Sequence, residues 1–480
     1  MRSSLTRRIL LSWGSSVLTT VVGFIGTIYL ARTLGAAPLG IFSLCVSIMG
    51  WLRVSDLGVT QATVKRISEG ENQAEFISAS LIIQMIQTAV VVAGLLSLRE
   101  PVNDYIGGEF AIIVAGLFVI NRLVNGTARQ VLSGYRAVHL SHGLSAFDRT
   151  LRSVLQVALV ATGFEVIGLF LGMGAAFVIT GTIAVVTVYS VVDLELALPD
   201  LSIFESLLGY AKYSVLSVVK SEAFSWTDII VMGFFVENTV IGVYNVSWSI
   251  AMAFLLFGNA MQQNLFPEIS GLSSAGSGGK ARNLISESLV YAGVFPIAGV
   301  VGSFVVGDSV LSVYGTEFTD GHYVLVVLIF VSLLRAYEKQ IHAVLDGINR
   351  PDITFRLNAL FTAANICLNV LLVPLYGAVG AAIATSCALA LNIVFGWYLS
   401  STLVGGQFPL AEIGKQIVAA IAMGVTVVAV KGVLPPEGIV ALLVVVGIGA
   451  AVYFGILMLL SKEIRAKVQT LVDQQLAQRV

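Results

Sequence analysis

The sequence predicts an all-α integral membrane protein of about fourteen transmembrane helices: two repeat-related six-helix bundles followed by a C-terminal helix pair. Three observations carry this reading: a composition starved of charge, apolar runs of spanning length from one end to the other, and internal similarity between the two halves. Of 480 residues, 57% are hydrophobic and 11% charged, less than half the charged share of an ordinary soluble domain. So little charge cannot cover a water-soluble globule of this size. A hydrocarbon core of roughly 30 Å takes about 20 apolar residues per helix, and the chain supplies such runs throughout.

The first span runs from Ile9 to Leu30. Arg7 and Arg8 precede it, but it is too long for the apolar part of an export signal and lacks a small-residue cleavage site, so a retained helix is expected. Charges, Gly and Pro then bound Ile41 to Leu57, Ile77 to Leu98, Phe110 to Leu132, Leu144 to Phe164 and Val166 to Val188. The second six are Tyr210 to Phe234, Val240 to Gln262, Leu284 to Val306, Tyr323 to Leu345, Phe355 to Val373 and Tyr376 to Tyr398. Ile413 to Val433 and Ile439 to Leu460 form the last pair. With a cytoplasmic N-terminus, nineteen of the 27 Lys and Arg fall in inner segments, and only Arg32, Arg99 and Lys431 in outer loops. This bias predicts a multi-pass protein of the plasma (cytoplasmic) membrane with both termini cytoplasmic. Outer loops of at most about fifteen residues leave little room for an external catalytic domain.

Several function classes drop out. A net charge of -1 without Lys/Arg clusters among aromatics excludes a nucleic-acid partner. Cys45, Cys367 and Cys387 lie in apolar runs and predict neither disulfide nor metal site. His139, His142, His322 and His342 fall near span ends with no ligand spacing, so an interfacial or solvated role is expected and no metal or other cofactor is called for. No phosphate-binding G-x-x-x-x-G-K-[ST] loop occurs, so transport would run on an ion gradient, the membrane potential or the substrate's own downhill distribution.

The repeat divides the chain. Gly40-Ile-Phe-Ser-Leu-Cys-Val-Ser-Ile48 matches Gly242-Val-Tyr-Asn-Val-Ser-Trp-Ser-Ile250 at an offset of 202; Val131-Leu-Ser-Gly134 matches Val344-Leu-Asp-Gly347 at 213, and Gly174-Ala-Ala176 matches Gly380-Ala-Ala382 at 206. The expected divisions are residues 1–200, 201–402 and 403–480, the last an appended pair and cytoplasmic tail. An even number of spans per half gives both halves one orientation, with a substrate path between them. Serines recur at helical spacing in the first helix (Ser12, Ser16), the second (Ser43, Ser47) and the seventh (Ser214, Ser217, Ser221, Ser225), and Asn245 and Ser249 answer Ser43 and Ser47 in the eighth. Such stripes either permit close helix packing or line a shared hydrated cavity, and their equivalence across the repeat favours the cavity.

Charges at membrane depth are the candidate site. Arg53, Arg122 and Arg335 lie roughly 18 Å from the outer ends of their helices, Lys220 roughly 15 Å from the inner end of its own, and Lys339 one turn below Arg335. Arg122 and Arg335 coincide at the 213 offset. A charge near the bilayer centre costs at least ~3 kcal/mol, so each needs a partner, a wet cavity or a route to the interface. Facing a cleft, these five cations would hold an anionic headgroup, Arg offering a planar fork to phosphate oxygens. The competing reading is ion pairing: Arg53 with Asp56, Arg335 with Glu338, Lys220 with Glu222 or Asp228. Asp228, Glu222 and Asp56 are also candidates for cation coupling, with Ser221 and Ser225 beside them; Asp228 is equally consistent with a helix-holding role.

Tyr29-Leu-Ala-Arg-Thr-Leu-Gly35, Leu39-Gly-Ile-Phe-Ser43 and Ser55-Asp-Leu-Gly58 resemble the N-terminal signature of prokaryotic polysaccharide and lipid-linked oligosaccharide flippases. Asp228, Val313-Tyr-Gly315 with Phe318, Asn365-Ile-Cys-Leu-Asn369, Pro374-Leu-Tyr-Gly377 and Gly380-Ala-Ala-Ile-Ala-Thr385 are similar to the same family, so the likeness spans roughly the whole chain. It belongs to the superfamily that includes MATE drug antiporters and lipid II flippases. The resemblance implies a MATE-like fold, a prokaryotic membrane, and a non-enzymatic flippase carrying a polyprenyl-diphosphate-linked oligosaccharide or polysaccharide repeat unit from inner to outer leaflet by alternating access. Its partners would be the lipid-linked saccharide, membrane lipid, and glycosyltransferases or a polymerase of the same pathway. The alternatives are a MATE-type cation-coupled drug or metabolite antiporter and, against the short outer loops, a membrane glycosyl polymerase.

Overall fold

A computed structural model describes residues 20–192, 197–256, 258–259, 278–405 and 407–466, apart from the side chains of 55–57, 212–217 and 278–283. Among these residues there is no strand. The helices are α1 (Thr20–Leu34), α2 (Ala36–Leu52), α3 (Val54–Glu69), α4 (Gln73–Ser97), α5 (Arg99–Ile106), α6 (Ala111–Ile120), α7 (Thr127–Gly134), α8 (Val138–Ala161), α9 (Glu165–Val191), α10 (Leu201–Met232) and α11 (Asn238–Ala253). They continue as α12 (Gly278–Ser312), α13 (His322–Gly347), α14 (Pro351–Val404), α15 (Leu410–Val433) and α16 (Ile439–Leu460). By length and composition, eight helical stretches among the described residues can cross a membrane. Their outward faces are apolar: Val425, Val440 and Leu459 are 67%, 77% and 76% exposed, which water would penalise and acyl chains accept.

The chain forms two compact units, residues 1–245 and 246–480. In the first, α10 packs on α2 and α3, α3 on α4 and α7, and α8 on α9. Close crossings rest on glycine: a Cβ at Gly172 of α9 would lie 2.8 Å from the backbone nitrogen of Gln156 of α8. In the second, α12, α13 and α14 pack in sequence, and α15 and α16 pack on each other and on α12. Three side chains tie that last pair to carbonyls of α12: Gln416 Nε2 donates to Val290 O at 2.8 Å, Tyr453 OH to Val294 O at 2.7 Å and Lys431 Nζ to Val305 O at 2.7 Å.

Several boundaries differ from the expected spans for identifiable reasons. The helix expected to end at Leu57 pauses at Arg53 and resumes as α3 to Glu69, because Val59, Ala62 and Ile67 bury one face of a segment too polar to register as a span. Likewise α10 begins at Leu201, with Ile203 and Leu207 buried ahead of the expected start at Tyr210. The fourth expected span is α6 and α7 joined by a π-helical turn, Asn121–Gly126. The eleventh and twelfth spans run on within α14, broken at Gly377, whose φ of 54° is left-handed and follows Pro374 by three residues. The first expected span, Ile9 to Leu30, is described only from Thr20.

Candidate functional site

The polar cavity of the amino-terminal unit is built where α3, α4, α7 and α8 surround the π turn. It has a volume of about 220 Å³ and is lined by Arg53, Arg122 and Arg129 together with glutamines and serines. No carboxylate is among its described lining residues.

Each arginine is placed by local structure. Arg53 stands at the pause between α2 and α3, where the side chain leaves the packed helix face and is exposed. Arg122 sits in the π turn, whose wider ring re-aims residues relative to a continuous α-helix, a feature common at functional sites. It is 4% exposed, donates from Nη2 to Gln87 Oε1 at 2.5 Å, and stands 5.8 Å from the Phe118 ring centroid. Thr127 Oγ1 bonds the Arg122 carbonyl at 3.3 Å and Gln84 Oε1 at 3.0 Å, supporting the backbone group that the π turn displaces. Gln84 Nε2 in turn donates to Ser80 Oγ and Gln130 Oε1, both at 2.9 Å, so a buried amide lattice backs the cationic wall. Arg129 is held by Ser145 Oγ at 2.9 Å and the Asn125 carbonyl at 3.3 Å. The nearby acid, Asp148, is engaged by Arg152 at 2.5 Å and by Thr180 Oγ1 at 3.2 Å. The result is a concavity whose described wall carries three cations and fixed hydrogen-bond donors, an arrangement that can hold an anion.

Of the expected site residues, the structure brings Arg53 and Arg122 together in this cavity. Lys220 is on α10 of the same unit, 5% exposed, outside the cavity lining. Glu222 is half-buried on α10, within electrostatic reach of Arg53. Asp228 is 3% exposed and accepts a hydrogen bond from the hydroxyl of Tyr244. Ser221 is exposed, and half-buried Ser225 bonds the Ser221 carbonyl of its own helix at 2.9 Å. The Asp56 side chain lies outside the described residues, as do those of Ser214 and Ser217 and the whole of Ser12 and Ser16.

Arg335 and Lys339 belong to the carboxyl-terminal unit. Arg335 is ion-paired with Glu338, which is 1% exposed, and Lys339 Nζ donates to Asn259 Oδ1. Arg122 and Arg335, aligned by the repeat, therefore occupy unlike environments. The described serines of the second helix also depart from expectation: Ser43 (3% exposed) and Ser47 (0%) bond the Leu39 and Leu44 carbonyls of their own helix and sit in packed interior, not on a wet wall. His342 is not solvated. At 8% exposure its Nε2 lies 2.9 Å from Asn392 Oδ1, while Asn392 Nδ2 donates to the Leu357 carbonyl at 2.7 Å, which makes Nε2 the protonated nitrogen.

Arg129, Gln84 and Gln130 escaped the sequence reading. Arg129 counted as an inner flanking cation, although its spacing of seven residues from Arg122 places the two about two turns apart on one helical segment. Gln84 and Gln87, polar residues three apart in an apolar run, were the available signal for α4. No group of three His, Cys, Asp or Glu able to hold a metal occurs among the described residues. Cys45 is buried, and Cys367 and Cys387 are exposed, all as free thiols.

Comparison with known proteins agrees with this architecture. A family model described as polysaccharide biosynthesis protein matches residues 5–273. The "Probable flippase AglR" of Haloferax volcanii is 32% identical over 99% of this chain and 100% of its own length. The "Probable low-salt glycan biosynthesis flippase Agl15" of the same organism is 29% identical over 91% of this chain and 92% of its own. Among solved structures, the lipid II flippase MurJ in an inward closed conformation superposes with a TM-score of 0.80 at 14% identity, covering 95% of this chain and 99% of that one. An inward-facing MATE family multidrug resistance transporter of the MOP superfamily gives 0.64 at 16% identity, covering 80% and 95%. At such identities the structural likeness is one of fold. The chain belongs to the polysaccharide biosynthesis protein family of membrane proteins.

Proposed function

We propose that this protein is a flippase that carries a polyprenyl-diphosphate-linked oligosaccharide or polysaccharide repeat unit from the inner to the outer leaflet, without bond-breaking chemistry. The observation that carries the reading is the cavity of Arg53, Arg122 and Arg129 with no described carboxylate in its wall. A diphosphate at the head of a lipid supplies the negative charge such a cavity lacks, while the polyprenyl tail stays in the bilayer. The curated relatives carry the name flippase, which supports the same conclusion. A MATE-type cation-coupled antiporter is the second reading, favoured only by the buried Asp228–Tyr244 pair, and it leaves the arginine cavity without a purpose.

In this proposal about fourteen spans form two equivalent halves, residues 1–200 and 201–402, with 403–480 appended, and both termini are cytoplasmic in a prokaryotic plasma membrane. The halves rock to expose the site to each side in turn. Arg53 and Arg122 contact the diphosphate, joined by Arg129; Lys220 and Lys339 hold the later path, and Arg335, paired with Glu338, braces it. Asp228, Glu222 and Asp56, with Ser221 and Ser225, form the neighbouring polar wall. Glycosyltransferases or a polymerase supply and consume the substrate.

The test is leaflet exchange of labelled polyprenyl-diphosphate saccharide in reconstituted vesicles. Exchange above that of empty vesicles, lost on Arg122→Ala and Arg129→Ala in folded protein, is expected. Exchange equal to that of empty vesicles overturns the assignment.

A further inference from the structure

Along α8 a row of polar side chains recurs at four-residue spacing: Ser141, Ser145, Arg149 and Ser153. Residues so spaced follow one another along a single helix face. The first two belong to the cavity wall, where Ser145 Oγ also accepts the bond from Arg129. The last lies against α1: a Cβ added to Gly26 would stand 3.7 Å from that of Ser153 and 3.6 Å from Val157 Cγ2. Arg149 falls between them, about 6 Å along the axis from Ser145. It is exposed, and among the described residues its guanidinium has no hydrogen-bond or ion-pair partner; its carbonyl accepts from Ser153 Oγ at 3.1 Å. The adjacent acid does not serve it. Asp148 projects from a different face, is 4% exposed, and is held by Arg152 and Thr180. Arg149, Arg53 and Arg152 all stand within electrostatic reach of Arg129.

We infer that Arg149 is a docking point for a lipid-borne phosphate, set on the flank of the arginine cavity and outside its wall. α8 has 24 residues, enough to cross the hydrocarbon core, and packs along α9, so Arg149, near its middle, lies at membrane depth. An arginine there needs a counter-charge, a wet cavity or a route to the interface. Asp148 is already taken, and the cations around Arg129 add to the demand for an anion. A pair of phosphate oxygens matches the planar fork, and the exposed side chain takes them without breaking any bond already made. The next polar residue of the row is Ser145, bonded to Arg129, so an anion held at Arg149 lies about one helical turn from the enclosed site. Two lipids carry the required group: the polyprenyl-diphosphate saccharide and an acidic phospholipid of the membrane. With the first as ligand the inference rests on the flippase reading, and with the second it stands without it.

The test uses the full chain in nanodiscs and has one arm for each source of phosphate. In phosphatidylcholine nanodiscs, Arg149→Gln should bind polyprenyl-diphosphate monosaccharide about tenfold more weakly than wild type, with Arg149→Lys in between. In nanodiscs that also contain phosphatidylglycerol, native mass spectrometry should find one phosphatidylglycerol fewer retained by Arg149→Gln than by wild type. Either difference supports the docking point and names its ligand: a change in saccharide affinity alone assigns the substrate, and a change in phosphatidylglycerol retention alone assigns membrane lipid. Arg136→Gln removes the same charge from an exposed position between α7 and α8 and should change neither. Unchanged affinity together with unchanged retention in Arg149→Gln, or equal losses in Arg136→Gln, overturns the docking point. Because the Arg149 guanidinium is exposed and makes no bond to a described residue, its variants should keep the wild-type unfolding midpoint, which separates loss of a ligand from loss of the fold. A wild type that binds no saccharide, yet gives up a phosphatidylglycerol on Arg149→Gln, would remove the flippase reading and leave the docking point.

Discussion

Removing the Arg122 guanidinium is the sharpest probe of the cavity. The side chain is 4% exposed and already anchored on Gln87, so its fork is held in place before any ligand arrives. A charge-assisted bond of this kind is worth about 1.5–3 kcal/mol, so Arg122→Ala should weaken headgroup binding roughly 10- to 150-fold. Arg122→Lys keeps the charge but not the planar fork and should recover only part of that loss. If Arg122 and Arg129 grip one anion, their effects will not add, and the Arg122→Ala/Arg129→Ala double variant should fall short of the product of the singles. Binding of a polyprenyl-diphosphate monosaccharide to protein in nanodiscs gives the affinities, and thermal unfolding of the same samples separates binding loss from damage to the fold. Wild-type affinity in a folded Arg122→Ala and Arg129→Ala pair would refute the reasoning, because these two arginines form the enclosed cationic wall of this cavity.

Arg335→Ala should act on stability more than on affinity: it takes from Glu338, 1% exposed, the arginine it is paired with and leaves His342 Nε2 3.7 Å away beside the carboxylate, a loss of about 3 kcal/mol. The Arg335→Met/Glu338→Leu double variant should regain most of the thermal stability, and a double variant as unstable as the single would count against this account. His342→Ala removes the bond to Asn392 Oδ1 in a buried setting and should cost about 1–3 kcal/mol, read as a lower unfolding midpoint. Gly172→Ala should destabilise because the new methyl would meet the α8 backbone 2.8 Å away, whereas Gly94→Ala, in open space on α4, should be neutral or stabilising by up to about 1 kcal/mol. Tyr453→Phe deletes a hydroxyl tie from α16 to the Val294 carbonyl and should cost about 1 kcal/mol while preserving packing.

The amino-acid sequence by itself determined the solvent, the helical architecture and the family. Hydropathy sums over a window, so the apolar runs behind α4, α9, α13, α15 and α16 were legible to within a few residues, and family motifs such as Leu39-Gly-Ile-Phe-Ser43 do not depend on side-chain direction. It was also enough to flag Arg53, Arg122, Lys220, Arg335 and Lys339 as cations at membrane depth that need a partner, a wet cavity or a route to the interface.

Only the tertiary structure decided which way those residues turn and what they meet. Arg335 carries the same repeat signature as Arg122, yet a buried acid one turn away takes it as partner; Ser43 and Ser47 form the expected stripe, yet a neighbouring helix covers it. Arg129 looked like an inner flank until a π turn and α8 enclosed it in the cavity wall. Helix spacing assigns a residue to a face, but whether that face meets lipid, protein or a polar hollow depends on the rotation and separation of adjacent helices. Those are set by contacts far apart in the chain, such as Gly40 against Asn238, which no local pattern encodes.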